Sequence, residues 1–387
     1  MRILMINVDC GTGSTGRICT DLADALEKQG HEVRIAYGRD AVPQKNAIRI
    51  GKDFDVYSHV LQARLFDRMG FGSKRATEKF IEWVKEYDPD VIHLHNIHGY
   101  YINIEVLFSY LKTCGKKIIW TLHDCWAFTG HCAFFDYVEC DKWKTGCEHC
   151  PQKTAYPARM GVDCSKRNYS IKKELFTGIQ NLAIVTPSEW LAKLLKESFL
   201  SEYPINVIHN GIDTSTFLPT KSNIKEKHGI GEDKKVILGV ASVWDRRKGL
   251  EDFLKLSKLL DEEYKIVLIG LNKKQIVKLP NNVLGIERTE NIQELVAWYS
   301  AADVFVNPTY EDNYPTTNLE AIACGTPVIT YDTGGSPESA CCFGAVATKK
   351  DSDSIIKLLN TKFQHSKCNL SYLETVKEYC ELYHEIN

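Results

Sequence analysis

Charge of one sign is what this 387-residue sequence has least of: 48 Lys and Arg stand against 50 Asp and Glu, a formal net charge of −2. A general nucleic-acid binder would carry a basic excess or stripe, so no nucleic-acid partner is expected. Long apolar runs are also missing, and none approaches the ~20 residues of a membrane-spanning helix. The opening Met1–Asn7 is too short for a signal peptide and leads directly into a turn, so the expected compartment is the cytoplasm. In such a reducing compartment the 14 cysteines are expected to serve as thiols or metal ligands rather than as bridges. What remains is 44% hydrophobic and 25% charged, enough for a substantial core in two or three domains.

The chain is organised around Tyr310–Pro327, Y-E-D-N-Y-P-T-T-N-L-E-A-I-A-C-G-T-P. An apolar run, Val304–Val306, ends at Asn307-Pro308, a polar turn follows, and a helix-like Leu319–Ala323 is stopped by Gly325. In an open α/β sheet that order sets the turn at the carboxyl edge of the strands and aims the amides of a new helix at an anion. Glu311/Asp312 and Glu320 flank the turn. Carboxylates accept hydrogen bonds from hydroxyls and repel phosphates, so the fitting guest carries sugar hydroxyls at the acids and a diphosphate at the amides.

The first half opens on a buried strand, Arg2–Val8, then Gly11-Thr-Gly13-Ser14-Thr15-Gly16, a helix to about Gln29 with Ile18, Leu22, Ala25 and Leu26 on one face, and a strand Glu32–Tyr37. Strand, glycine turn, helix and strand compose a Rossmann-like unit. A dinucleotide reading needs an acid at the end of the second strand. Tyr37-Gly38-Arg39-Asp40 stands there, which leaves an NADP-dependent oxidoreductase open through Arg39. Asp90–Asn96 and Lys117–Asp124 read as strands that deliver His95 and His123 to a carboxyl edge. In the second half a cationic Arg246-Arg247-Lys248 stands at a strand end and helix start, where the helix dipole disfavours cations unless an anion is bound.

These motifs, in this order, resemble the family 4 retaining glycosyltransferases of the GT-B fold. Asp312 to Glu320 has the Glu-x7-Glu spacing with Asp for the first Glu, and Ala321, Ala323, Gly325, Pro327 and Val328 follow in step. Thr121–Asp124, Gly30–Val33, Arg17 after the glycines, Asn210–Asp213 and Gly334–Glu338 match further family segments. The resemblance implies an α/β chain of two Rossmann-like domains facing across a cleft: residues 1–205 on the acceptor side, 206–369 on the donor side, and a helix from 370 to 387 returning to the first domain.

It further implies transfer of a sugar, with retention, from a nucleoside-diphosphate sugar to a hydroxyl of a growing glycan, lipid-linked, in surface polysaccharide assembly. Glu320 would take the ribose, and Glu311 or Asp312 the sugar hydroxyls. Arg246 or Arg247, Lys248 and the amides around Tyr314, Pro315, Thr316 and Thr317 would take the diphosphate, with Gly335 in the last donor loop. The family's phosphate-clamp Arg is replaced by Ser242 or Val243. Gly13, Ser14, Thr15, Gly16, Arg17 and His95 would line the cleft, and His123 would contact the donor sugar or the acceptor. The chemistry needs no cofactor. A GT-B sugar-nucleotide epimerase shares the same architecture and remains an alternative.

Two segments stand apart. Cys147-Glu-His-Cys150 is a C-x2-C knuckle that Cys132 and Cys140 could complete as a structural zinc site, with His131 and His149 nearby. Residues 60–80 interleave Arg64, Arg68, Lys74, Arg75 and Lys79 with Leu61, Leu65, Phe66, Met69 and Phe71. Such a stretch is either a solvated helix face over a core stripe, the expectation here, or a contact with an anionic membrane such as the inner face of the plasma membrane.

Overall fold

The computed structural model describes residues 1–366 and 368–386. The chain divides into two compact units, one from Met1 to Asn210 completed by the segment from Leu373 onward, the other from Gly211 to Tyr372. Each unit is built on one parallel sheet. The first contains β1 (Arg2–Asn7), β2 (Glu32–Tyr37), β3 (Ala47–Arg49), β4 (Val91–Leu94), β5 (Lys117–Thr121), β6 (Leu182–Thr186) and β7 (Ile205–Val207) in the order β3-β2-β1-β4-β5-β6-β7. The second contains β8 (Lys235–Val240), β9 (Tyr264–Ile269), β10 (Val283–Ile286), β11 (Val304–Asn307), β12 (Val328–Tyr331) and β13 (Gly344–Ala347) in the order β10-β9-β8-β11-β12-β13. In each sheet the order reverses once, between β1 and β4 and between β8 and β11. Those are the switch points at which crossover helices part to opposite faces and leave a crevice.

The strands read as unbroken apolar runs because helices cover both faces of a parallel sheet. Ile3, Leu4 and Met5 in β1 and Val236, Ile237 and Leu238 in β8 are fully buried. The helices of the first unit are α1 (Gly13–Lys28), α2 (Asp53–Phe66), α3 (Lys74–Tyr87), α4 (Ile104–Leu111), α5 (Ser165–Phe176) and α6 (Glu189–Lys196). The second unit has α7 (Ile224–Lys227), α8 (Leu250–Leu259), α9 (Lys273–Ile276), α10 (Ile292–Ala301), α11 (Thr316–Ala323), α12 (Ser336–Ala340) and α13 (Ser352–Leu359), and α14 (Tyr372–Glu385) closes the chain. The buried face of α1 is centred on Cys19, Leu22, Ala23 and Leu26, with Ile18 only half-buried, because the helix begins at Gly13 and its register turns Cys19 onto the sheet.

The last helix packs on the first sheet through Val376, Tyr379, Leu382 and Tyr383, whereas Leu373, expected on that face, is 60% exposed. Two of its tyrosines reach a buried polar pair: Tyr383 Oη lies 2.8 Å from His93 Nδ1, Tyr379 Oη 2.8 Å from Thr121 Oγ1, and Thr121 Oγ1 2.8 Å from His93 Nε2. The crossing at Gly211 depends on room rather than on an unusual φ, since a Cβ there would stand 2.3 Å from Tyr372 Cα. Asp213 caps the following turn by accepting from Ser215 N at 2.9 Å and Thr216 Oγ1 at 2.7 Å. One bridge, Cys342–Cys368, corrects the expectation that the cysteines form none: the chain after β13 returns and sets the two side chains side by side.

The stretch at residues 60–80 meets expectation in α3, where Lys74, Arg75 and Lys79 are exposed over buried Ala76 and Phe80, and departs from it in α2. Met69 and Phe71 are core residues, but Leu61, Leu65 and Phe66 face solvent with Phe54 and Tyr57, the last two 80% and 73% exposed. Val56, His59 and Ala63 occupy the inner face of α2, so this helix is apolar on both sides and is not a polar surface over a core stripe. His59 fixes it: Nε2 accepts from the amides of Gly70 and Gly72 at 3.0 and 3.2 Å, so the proton sits on Nδ1 and is offered to Ser73 Oγ at 3.0 Å.

Burial lowers the pKa of His59 to about 4 and that of His93 to about 3, so both rings are neutral at pH 7. The unfolded chain titrates them near 6.5, so below that pH it binds more protons than the folded chain and stability falls with pH. We expect a loss on the order of a few kcal/mol between pH 6.5 and 4.5, each pKa unit being worth about 1.4 kcal/mol. Urea midpoints followed by tryptophan fluorescence at pH 7.5 and 4.5 measure it, and His59→Gln should flatten the slope; an equally steep variant would remove His59 from the account.

Candidate active site

The residues expected on the donor side assemble where β8, β11 and β12 end side by side. The loop after β8 carries Arg246, Arg247 and Lys248 in a short 3-10 turn (Arg246–Lys248) capped by Asp245, whose Oδ1 accepts from Lys248 N at 3.1 Å. The loop after β11 carries Glu311, Asp312, Tyr314 and Pro315, and the loop after β12 carries Gly334 and Gly335. Two glycines let these backbones meet. A Cβ on Gly249 (φ +74°) would lie 2.2 Å from Pro308 O, and one on Gly334 (φ +58°) 1.9 Å from Asp312 O. Gly335 N donates to Asp312 O at 3.2 Å, and Tyr310 N to Arg247 O at 2.8 Å.

Within this cluster Arg247 Nη1 donates to Glu311 O at 2.7 Å, and Lys248 Nζ forms an ion pair with Asp312 Oδ2. Burial alone would raise the Asp312 pKa, but Lys248 and Arg247 outweigh it and hold the carboxyl below its usual range. Arg246 is exposed while Arg247 turns inward, and Ser242 and Val243 are both exposed. Glu320 is buried in α11 and accepts from Tyr299 Oη at 2.8 Å. Thr316 and Thr317 form the first turn of α11, whose N-cap Pro315 brings no side-chain acceptor for the leading amides.

A buried polar lattice that sequence reasoning missed fixes that turn. Asn307 Nδ2 donates to Asn318 Oδ1 at 2.9 Å, Asn318 Nδ2 donates to Ser339 Oγ at 2.8 Å, and Thr330 Oγ1 lies 2.6 Å from Ser336 Oγ. It ties the ends of β11 and β12 to the starts of α11 and α12. Asn318, directly before the apolar Leu319 of the same helix, was the available signal.

In the first unit, Gly13, Ser14, Thr15, Gly16 and Arg17 form the start of α1 beyond β1, with Gly13 at φ +65°. Gly16 packs against the turn, and a Cβ there would stand 3.3 Å from Asp9 O. His95 follows β4 and His123 follows β5, and the structure brings them together, His95 Nδ1 to His123 Nε2 at 3.1 Å. Burial lowers the His123 pKa to about 4 and that of His95 well below 6.5. Two neutral rings can share one proton between facing nitrogens, where two imidazolium rings would repel. His98, Asp124 and Tyr156 were not foreseen: His98 Nε2 lies 2.9 Å from Asp124 Oδ2 and its Nδ1 3.0 Å from Tyr156 Oη. The third histidine of His93-Leu-His-Asn-Ile-His98 was the visible cue.

Cys132, Cys140, Cys147 and Cys150 all line one small cavity with His131, whereas His149 is not among its lining residues. Among the described residues no three His, Cys, Asp or Glu side chains form a ready-made metal-holding group.

Two sequence families cover the chain: Glycosyltransferase Family 4 matches residues 15–216 and Glycosyl transferases group 1 matches residues 220–369. The chain belongs to glycosyltransferase family 4. It is 27% identical over 87% of its length, and 85% of the relative's, to WcaC of Escherichia coli strain K12, whose name provisionally assigns it to colanic acid biosynthesis as a glycosyl transferase. It is also 23% identical to the N-acetyl-alpha-D-glucosaminyl L-malate synthase of Bacillus anthracis, over 87% of this chain and 80% of that one. Among solved structures, the sucrose-phosphate synthase of Thermosynechococcus elongatus matches with a TM-score of 0.70 at 16% identity, covering 99% and 98% of the two chains. Anabaena HepE, in complex with UDP and glucose, matches at 0.65 and 14% over 99% of both. The fold of this family-4 chain is GT-B.

Because a side chain at Gly334 meets both a left-handed backbone and the Asp312 carbonyl, Gly334→Ala should cost about 1–3 kcal/mol of stability in the second unit. Chemical denaturation of that variant checks it, and an unchanged midpoint would show that the two loops can separate without loss.

Proposed function

We propose that this protein is a retaining glycosyltransferase that moves a sugar from a nucleoside-diphosphate sugar to a hydroxyl of a growing, lipid-linked glycan in surface polysaccharide synthesis. The observation that carries it is the meeting of Arg247 and Lys248 with the Glu311–Asp312 loop at the β8–β11 switch point, ahead of α11 and its buried Glu320. Cations and amides suit the diphosphate, and the acids suit hydroxyls of ribose and sugar. The names of WcaC and the UDP complexes of HepE support the pathway and the donor class by likeness.

Bond cleavage leaves negative charge on the departing diphosphate, and Lys248 with Arg247 stabilises that growing charge. One such donor is worth about 100- to 1000-fold in rate. Lys248 is held by Asp312 before substrate arrives, so donor binding exchanges one anionic partner for another. The acceptor hydroxyl attacks from the face of the leaving phosphate, which takes its proton, and no enzymic nucleophile is needed. Neutral His123, beside His95, is suited to hydrogen-bond the sugar or the acceptor. On this reading the glycine turn holds no nicotinamide, and neither zinc nor another cofactor enters the chemistry.

The lipid-linked acceptor fits the outer face of α2. Phe54, Tyr57, Leu61 and Leu65 recur at helical spacing on it, Met160 and Val162 lie alongside through Met160 N to Arg64 O (2.7 Å) and Val162 N to Leu65 O (3.3 Å), and exposed Lys74, Arg75 and Lys79 follow in α3. Apolar side chains beside cations match an anionic bilayer at the cytoplasmic face of the plasma membrane.

A thermal-unfolding screen against UDP, GDP, ADP and CMP and their sugar conjugates tests the donor assignment. A ligand at 100 times its dissociation constant adds about 2.7 kcal/mol. One nucleoside diphosphate should stabilise the wild type, Glu320→Gln should lose most of that response, and Lys248→Met should lower kcat about 100- to 1000-fold. A protein that answers none of them, or consumes its donor without an acceptor as an epimerase would, refutes the transferase. For the acceptor side, Phe54→Glu/Leu61→Glu should abolish cosedimentation with phosphatidylglycerol vesicles while leaving the unfolding temperature unchanged; equal sedimentation would place the membrane contact elsewhere.

A further inference from the structure

Between β5 and α5 some forty residues pass with no regular structure except two 3-10 turns, Trp126–Phe128 and Lys142–Lys144. A segment of that length without strands or helices is uncommon inside a compact domain. Yet it is not a surface loop: Trp126, Phe128, Phe135 and Trp143 are almost wholly buried in the first core. Lys172 of α5 reaches into it, donating from Nζ to Trp126 O at 2.7 Å and Thr129 O at 3.0 Å over the Trp126 ring. Something must hold such a chain in one conformation, since it forms no helical or sheet ladder of its own.

The segment's sulfurs converge. Cys132, Cys140, Cys147 and Cys150 line a cavity of about 10 Å³, closed by Phe135 and Trp143. That is room for a single water-sized or ion-sized guest. Close packing brings Cys147 in, because a Cβ at Gly130 would lie 2.7 Å from Cys147 Cβ. A second observation is independent of the thiols. His131, 3% exposed, lines the same cavity; its Nδ1 is bonded to Asp67 Oδ1, while its Nε2 is buried with no hydrogen-bond partner among the described residues. A carboxylate that fixes one ring nitrogen and leaves the other unpaired beside a group of sulfurs is how metal sites orient a histidine.

We propose that this cavity is a structural zinc site in which Cys132, Cys140, Cys147 and Cys150 are the ligands and His131, its ring fixed by Asp67, packs beside them in the same wall. Four soft donors around one small cavity select zinc and leave no open position for catalysis. Loading draws the sulfurs inward from their present spacing. Each thiol releases its proton to solvent, and the resulting dianionic centre is balanced by Lys142 on the cavity wall and Lys172, bonded to the adjoining Thr129. The site staples a loop and takes no part in sugar transfer, so it stands or falls apart from the transferase reading.

The test uses the full chain purified under reducing conditions without added chelator. Elemental analysis should find one zinc per chain, and titration of the thiols with a mercurial in the presence of a chromogenic chelator should release that zinc stoichiometrically. Chelator should lower the unfolding temperature of the wild type, and zinc added back alone should restore it. Cys147→Ser/Cys150→Ser should lose the metal. Should that variant fail to fold, release from the wild type still decides the question. His131→Gln should keep the metal but bind it about 10- to 100-fold more weakly. Metal-free protein with the same stability, or peptide mapping that finds Cys132–Cys150 or Cys140–Cys147 disulfides in the reduced preparation, overturns the site.

Discussion

Parallel pairing is the constraint on which the rest of this structure depends. Strands that all run one way finish on one edge, so every loop that leaves a strand's carboxyl end is delivered to the same side of its sheet. The chain uses this once in each unit, at the places where the strand order reverses. In the second unit, β8, β11 and β12 are neighbours, and their loops bring Lys248, Asp312 and Gly334 together although up to 86 residues separate them along the sequence. In the first, β1, β4 and β5 do the same for the glycine turn, His95 and His123. The cations and acids therefore need no dedicated scaffold; the sheet order itself collects them.

The fold was legible because its signals are periodic and local. Unbroken apolar runs such as Lys235–Val240 can only be strands covered on both faces, and β8 has those bounds. Gly11 and Gly249 mark turns that another residue would strain or block, the first just beyond β1 and the second at the start of α8. The carboxyl-edge positions of His95, His123 and Lys248 followed from the same reasoning. What could not be read is the choice of partner once side chains arrive. Nothing in Arg246-Arg247-Lys248 says that Arg247 turns inward while Arg246 stays in solvent, since that depends on the rotation of one short turn around Asp245. Nor does sequence say that Lys248 meets Asp312 rather than Glu311, because loop backbone, not periodicity, decides which of two adjacent acids faces the cation.

Tertiary packing overrode local pattern in two other places. Residues 60–80 carry a mixed basic and apolar pattern that does not distinguish the inner from the outer face of α2. His59, accepting from two amides across a turn, decides which side goes in, and so exposes Phe54 and Tyr57. The cysteine-rich segment shows the opposite case, where no periodicity exists to be read and only the shared cavity shows that side chains 18 residues apart are companions. The buried Asn307–Asn318 pair belongs with these: its polar atoms satisfy each other and rigidify the start of α11.

The pairing of Tyr379 and Tyr383 with Thr121 and His93 has a consequence for biosynthesis. The first sheet is translated before the second unit, but the helix that satisfies its buried imidazole is made only after that unit. Until then His93 lacks one of its two partners, and the nascent first unit presents an uncovered strip of apolar surface while the entire second unit is being made. The first sheet is thus begun before the second unit and finished only after it.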